Sequence, residues 1–183
     1  MSNYLIPLMV VVPMLCAILV NAFAKFNKSI KVLTFVVAIC LPIIPLLSNY
    51  GLHFFGGYTP MLDNATGVIY HPAITYAFDM LQQIFIAAVG LITFLVAFIY
   101  LSKYKKASGQ YLFLLFMGTA SVTALMLTDD IFNMFVFFEI LALVQVGIVI
   151  ASPMDYSYEM ALKYMILGSI GSPIMLLGIG FLL

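Results

Sequence analysis

Six apolar runs, each close to the length needed to cross a bilayer, constrain the fold of this chain more than any other feature. A transmembrane helix needs about 20 apolar residues, and the runs cover approximately 4–24, 30–48, 78–101, 111–128, 131–151 and 160–183. Of the 183 residues, 65% are hydrophobic and 8% are charged, unlike a soluble domain. Because an open sheet cannot satisfy its backbone in lipid, we expect one all-α, polytopic membrane domain with about six helices.

The lysines predict how these helices are oriented. Six of the seven cationic side chains lie in or directly beside the links after the first and the third run: Lys25, Lys28, Lys31, Lys103, Lys105 and Lys106. Cytoplasmic links carry an excess of lysine, so both termini are predicted to face outward from the cell membrane. The long outer loop 49–77 is rich in Gly, Pro and aromatic residues, which predicts an ordered, turn-rich cap.

Glu139 is the most informative single residue, because it lies near the middle of the fifth apolar run. A carboxylate at that depth costs a few kcal/mol unless it is neutralised, paired or hydrated. We interpret Glu139 as a group that changes its charge state during ion translocation. The alternative is a structural, hydrogen-bonded carboxylic acid.

Lys163 lies near the predicted cytoplasmic start of the sixth run. The helix rise places it on the order of 10 Å from Glu139 in depth, which one or two water molecules are able to bridge. We therefore predict an ion-translocation role for Lys163 as well. The alternative is that its ammonium group snorkels to the membrane interface.

Further polar residues are candidates for accessory roles. Asp129 and Asp130 precede the fifth run, where capping of the helix N-terminus is favoured over an ion-entry role. In the sixth run, Ser169 and Ser172 belong to a face of small residues, which favours close helix contact. Pro173 leaves a carbonyl group without its donor, although ordinary packing is the favoured interpretation.

Several functional classes are excluded or disfavoured by the sequence. The formal net charge is zero, which argues against nucleic acid as a partner. Cys16 and Cys40 lie in separate apolar runs and show no metal-binding spacing. Nucleotide loops, haem ligand pairs and hydrolase motifs are absent from the sequence. We expect a transport or structural subunit that binds no cofactor and is not itself an enzyme.

Four segments stand out as motifs: TDDIFNMFVFFEILAL at 128–143, LKYMILGSIGSPIMLLGIGFLL at 162–183, FGGYTP at 55–60 and FDMLQQIF at 78–85. They resemble the antiporter-like subunit family, which includes the large subunits of Mrp-type cation/proton antiporters and subunits of energy-converting hydrogenases and respiratory complex I. Their order along the chain matches the N-terminal portion of family members. The resemblance implies that Glu139 is the gating carboxylate, Lys163 an accessory lysine and Gln145 a residue beside a hydrated path.

The same resemblance implies what this chain lacks. Family members contain two inverted repeats of helices, and their glutamate pairs with a lysine of a broken seventh helix. The sequence ends after about six runs, so we expect a shortened or split form that is inactive when isolated. Its expected partners are other membrane subunits, one of which supplies the missing helices, together with the bilayer and H⁺ or Na⁺.

Three functions stay open at this point. The first is proton or sodium translocation within a larger complex such as an antiporter or an energy-converting hydrogenase. The second is a non-pumping structural subunit of such a complex. The third is an unrelated small carrier or channel with six helices.

Overall fold

A computed structural model describes residues 5–23, 27–48, 51–63, 67–104, 108–151 and 156–182. Six helices and one antiparallel hairpin make up this part of the chain. In chain order they are α1 (Leu5–Ala22), α2 (Asn27–Leu46), β1 (Gly51–Asp63), β2 (Gly67–Phe78), α3 (Met80–Lys103), α4 (Gly109–Leu127), α5 (Ile131–Ile150) and α6 (Ser157–Leu182).

Four of the described helices, α3 to α6, are long and apolar enough to cross a membrane. The described apolar parts of α1 and α2, Ile6–Ala22 and Ile30–Leu46, are shorter. The prediction of a polytopic helical membrane protein is confirmed. The outward position of both termini stays a prediction, and Lys25, Lys105 and Lys106, which contribute to it, lie outside the described residues.

The prediction of a turn-rich outer loop over 49–77 is wrong in one respect, because most of this segment forms the β1–β2 hairpin. Pairing runs from Gly51 opposite Phe78 to Asp63 opposite Gly67. The register shifts between Phe55 and Tyr58, where two glycines follow each other and permit the extra residue of a bulge. The Gly and Pro content suggested turns, whereas the β-branched and aromatic residues of the same segment favour strands.

The end of the hairpin is fixed to the helices by Tyr76 and Phe78, which are both buried. They pack in one apolar cluster with Ile6, Met9 and Val10 of α1, Ile86 of α3, and Ala124 and Leu127 of α4. Tyr76 also forms a β-bridge with Thr128 and a side-chain hydrogen bond with Asn133. Burial raises the pKa of the Tyr76 phenol, and the bond to Asn133 opposes this shift.

Helices α1 to α4 form the packed body of the protein. The main helix pairs there are α1 with α4, α2 with α3, α1 with α2 and α3 with α4. A second apolar cluster lies between them and contains Cys16, Ala17, Val20, Ile30, Leu41, Leu112 and Phe116. Helix α5 packs against α4, and α6 packs against α5. The site described below lies in this outer pair.

Gly90 allows α2 and α3 to approach each other closely. A Cβ atom at this position would lie 2.7 Å from the Pro42 nitrogen and 2.8 Å from the Leu41 carbonyl carbon. Both are backbone atoms, so they are not able to move aside as a flexible side chain does. The absence of a side chain at Gly90 therefore sets the distance between the two helices.

Replacing Gly90 by alanine is expected to destabilise the protein, although alanine favours helix formation. Overpacking a close contact costs about 1–3 kcal/mol, which a circular-dichroism melt in detergent detects as a lower Tm. The matched control is Gly180→Ala, because the space around a Cβ atom there is open. Equal melting temperatures for the two variants would contradict the close contact at Gly90.

Candidate functional site

Glu139 lies in the middle of α5, eight residues after the helix begins at Ile131, or about 12 Å along its axis. Its Oε1 atom is buried and has no hydrogen-bond partner within the described part of the chain. Buried polar atoms in proteins are usually hydrogen-bonded, and a buried charge without a partner is far more costly than a neutral group. Glu139 therefore requires a proton, a cation or water that the protein's own described side chains do not supply.

The cleft beside Glu139 lies between α5 and α6 and has a volume of about 640 Å³. Five residues with polar side chains line it: Glu139, Gln145, Tyr164, Ser169 and Ser172. The other lining residues are apolar except for Gly168. The cleft is therefore large enough for several water molecules, and four other polar side chains share its lining with the one carboxylate.

The α6 wall of the cleft is made of small residues. The Ser169 hydroxyl donates to the Ile166 carbonyl at 2.9 Å, and the Ser172 hydroxyl donates to the Gly168 carbonyl at 3.0 Å. The expected close helix contact along this face is not present among the described residues, since a Cβ atom at Gly168 or Gly171 would have nothing within 4 Å. The small side chains leave the cleft open instead of closing it.

Lys163 forms an ion pair with Glu159, with 2.7 Å between Nζ and Oε1. The two side chains are 63% and 59% exposed, and Lys163 is not among the residues that line the Glu139 cleft. Glu159 lies in the first turn of α6, one residue before the sixth apolar run predicted from the sequence. The structure thus gives Lys163 a carboxylate partner other than Glu139.

The accessory candidates separate into two groups. Asp130 caps α5, because its carboxylate accepts hydrogen bonds from the backbone N–H groups of Phe132 at 3.1 Å and Asn133 at 3.3 Å. Asp129 precedes the cap and is exposed. Gln145 is exposed but lines the same cleft as Glu139. Only Gln145 of these three lies beside Glu139.

Sequence reasoning missed the pairing of Glu159 with Lys163 and the position of Tyr164 and the two serines in the cleft that Glu139 lines. The spacing of Glu159 and Lys163, four residues apart, is a readable signal for an ion pair on one helix face. The serines precede Pro173, and that arrangement was interpreted as packing alone. No sequence signal indicates that α6 leaves open space beside Glu139.

Comparisons with known proteins agree on one family. No protein-family model matches the chain. An uncharacterised protein of Methanocaldococcus jannaschii is 39% identical over 99% of this chain, which spans 36% of that protein. An Na⁺/H⁺ antiporter subunit of Alkalihalophilus pseudofirmus is 22% identical over 98% of this chain, which again spans 36% of its length.

A solved structure shows the same fold. It is a chain of the membrane-bound sulfane sulfur reductase, an archaeal respiratory membrane complex, with a TM-score of 0.70 and 22% identity. The match covers 97% of this chain and 36% of that one. The chain therefore belongs to the antiporter-like family of membrane subunits and spans about a third of the length of these relatives.

Proposed function

We propose that this chain is the ion-translocating part of an antiporter-like membrane subunit, in which Glu139 changes its charge state. The observation that supports this proposal is the buried Glu139 Oε1 atom, which has no hydrogen-bond partner among the described residues and lies beside a cleft of about 640 Å³. A carboxyl group that is partly buried and also lines a cleft with room for water is able to gain and lose a cation.

The non-pumping alternative accounts less well for Glu139. A structural carboxylic acid in a membrane helix is expected to donate or accept hydrogen bonds within the fold. The buried threonines of the packed body do so: Thr93 and Thr119 bond to each other at 2.9 Å, and Thr123 donates to the Thr119 carbonyl at 2.8 Å. Glu139 has no such bond within the described chain. Membership of the antiporter-like family excludes the third alternative, an unrelated carrier.

The relatives support proposals about ions and partners. One relative is named as a subunit of an Na⁺/H⁺ antiporter, and the solved structure belongs to a respiratory membrane complex. We infer that this chain works in the cell membrane with further helices and other membrane subunits, and that it moves H⁺, Na⁺ or both. Three His, Cys, Asp or Glu side chains do not converge anywhere in the described chain. In this proposal any redox cofactor of the complex belongs to its other subunits.

Lys163 has a secondary role in this proposal. Its ammonium group is exposed and already neutralised by Glu159 at 2.7 Å. Because Lys163 pairs with Glu159 and does not line the cleft beside Glu139, we do not assign it as the main counter-charge of Glu139. We assign it the accessory part of the relay, where it adjusts the local electrostatic potential at the end of α6.

The first prediction concerns Glu139→Gln in membrane vesicles from cells that express the chain with its partner subunits. Glutamine keeps the size of the side chain but is unable to exchange a proton or hold a cation, so ion translocation is expected to fall more than about tenfold. The measurement is the rate of proton movement reported by a pH-sensitive dye. The matched control is Asp79→Asn, which changes an exposed carboxylate before α3. An unchanged rate in Glu139→Gln would favour the non-pumping alternative.

The second prediction concerns the ion pair at the start of α6. Because Lys163 and Glu159 are exposed, Lys163→Gln is expected to lower the rate by no more than about fivefold. The same vesicle assay measures this effect, and Lys163→Arg, which keeps the charge, serves as the control. A loss as complete as that of Glu139→Gln would show that Lys163 belongs to the core of the relay.

A further inference from the structure

We propose that the groove between α2 and α3 binds an anionic phospholipid, whose phosphate lies at Lys31 and Lys103 and whose acyl chain begins along an apolar wall. The α2–α3 groove has a volume of about 330 Å³, and its lining residues are apolar except for Lys31 and Ser102. It shares no lining residue with the cleft beside Glu139. The inference is therefore independent of the proposed function.

Lys31 connects the beginning of α2 to the end of α3. Its Nζ atom donates to the Tyr104 carbonyl at 3.2 Å and to the Leu101 carbonyl at 3.5 Å. These bonds bring the first turns of α2, which begins at Asn27, to the end of α3 at Lys103. Because they also hold the Lys31 side chain in place, little further ordering opposes the binding of a headgroup. An ammonium group has three N–H donors, so one remains for a phosphate oxygen.

Two ammonium groups flank Tyr104 at this end of the groove. Lys31 bonds to its carbonyl, and the Nζ atom of the exposed Lys103 lies 5.7 Å from the centre of its ring. Helices α2 and α3 contain no Asp or Glu, and the ion pair among the described residues joins Lys163 to Glu159. Neither Lys31 nor Lys103 is therefore neutralised by a described carboxylate, and an anionic headgroup complements both charges.

The distribution of charge along the sequence strengthens the positive potential at the groove. The sequence has no acidic residue before Asp63 or between Asp79 and Asp129, and these two segments contain six of the seven lysines. The lysine-rich links are the ones predicted to face the cytoplasm. Basic pockets between transmembrane helices on that side of a membrane bind anionic lipid headgroups.

Tyrosines place the charged end of the groove at the level of the membrane surface. The ring centroid of Tyr100 lies 4.3 Å from that of Tyr111 and 5.0 Å from that of Tyr104. Tyrosine is enriched where membrane meets water, and the membrane-spanning helix α3 ends beside this group at Lys103. We therefore place the ammonium groups of Lys31 and Lys103 at the depth of the lipid phosphates.

The rest of the groove suits a hydrocarbon chain. Phe35 lies four residues from Lys31, and Phe98 lies four residues from Ser102, about 6 Å along each helix axis toward the membrane centre. The ring of Phe94 lies between them, with its centroid 6.0 Å from that of Phe35 and 6.2 Å from that of Phe98. A positive end at the interface and an aromatic end below it match the polarity of a phospholipid in its leaflet.

The groove lies away from the side of the protein on which α6 packs. The main contacts of α2 are with α1 and α3, whereas α6 packs against α5 and α5 packs against α4. The α2–α3 groove is therefore not a continuation of the open space between α5 and α6.

The test is a titration of the assembled, detergent-purified complex with phosphatidylglycerol, in which native mass spectrometry counts the bound lipids. Lys103→Gln is expected to weaken the binding of one lipid about fivefold, and it leaves both hydrogen bonds of Lys31 in place. Lys31→Gln is expected to weaken it by at least the same factor, whereas Lys31→Arg keeps the charge and stays within about twofold. Val36→Phe fills the groove without a change of charge and is expected to weaken the same lipid about threefold or more.

The controls make the same chemical changes away from the groove. Lys163→Gln removes a lysine that Glu159 already neutralises, and Val11→Phe enlarges an exposed side chain of α1. Both are expected to keep the lipid affinity within about twofold of that of the unmodified protein. Phosphatidylcholine, which has no net charge, is expected to bind at least about tenfold more weakly than phosphatidylglycerol. Glycerol phosphate, which has no acyl chain, is expected to displace no lipid.

A photo-crosslinking phenylalanine analogue at Val36 identifies what occupies the groove in the membrane. An adduct with a phospholipid supports the site, whereas an adduct with a polypeptide shows that a protein segment covers the groove and overturns the inference. Equal weakening in Lys103→Gln and Lys163→Gln, or equal affinity for the two lipids, also overturns it. Displacement of the lipid by glycerol phosphate alone would show a phosphate site without a lipid, which contradicts the proposal.

Discussion

The strongest constraint on this structure is the buried Oε1 atom of Glu139, which has no hydrogen-bond partner among the described residues. Thr34 also has a buried oxygen atom without a described partner, but a neutral hydroxyl in that state costs far less than a carboxylate. The other buried hydroxyl groups of α3 and α4, on Thr93, Thr119, Ser121 and Thr123, are bonded within the fold. Within the packed body, most buried hydroxyl groups therefore form hydrogen bonds inside the fold. The Glu139 Oε1 atom of α5 forms none with the described residues.

The fold explains how such a group is held at a defined place. The start of α5 is fixed by the Asp130 cap and by Asn133, whose amide donates to the Thr128 hydroxyl at 2.9 Å. Tyr76 bonds to the same Asn133 and is itself buried in the cluster that joins the hairpin to α1, α3 and α4. One side of α5 therefore rests on a rigid body, while the other side faces the open cleft toward α6.

The main features of the fold follow from the sequence because the bilayer leaves few alternatives. Apolar runs of about 20 residues must be helical in lipid, and Glu139 stands out because it interrupts one of them. The hairpin was not predicted, since Gly56, Gly57 and the prolines of 51–78 suggested turns while strand pairing depends on a partner segment. Of the residues that line the cleft with Glu139, Gln145 was predicted and Tyr164, Ser169 and Ser172 were not. The spacing of Glu159 and Lys163 does indicate their pairing, whereas the face of α6 that lies toward Glu139 is decided by helix rotation, which a sequence does not specify.

The charges of α5 and α6 lead to a general constraint on any mechanism. Residues 131–150 and 157–182 contain Glu139, Glu159 and Lys163 as their ionisable carboxylates and amine. Because Glu159 and Lys163 neutralise each other at 2.7 Å, ionisation of Glu139 leaves one uncompensated negative charge in the pair of helices. A cation of a neighbouring segment or subunit, a bound ion or a proton is able to compensate this charge, to a degree that depends on its distance from the carboxylate and on the local dielectric constant. The proposed function requires Glu139 to exchange such partners instead of remaining in one fixed salt bridge.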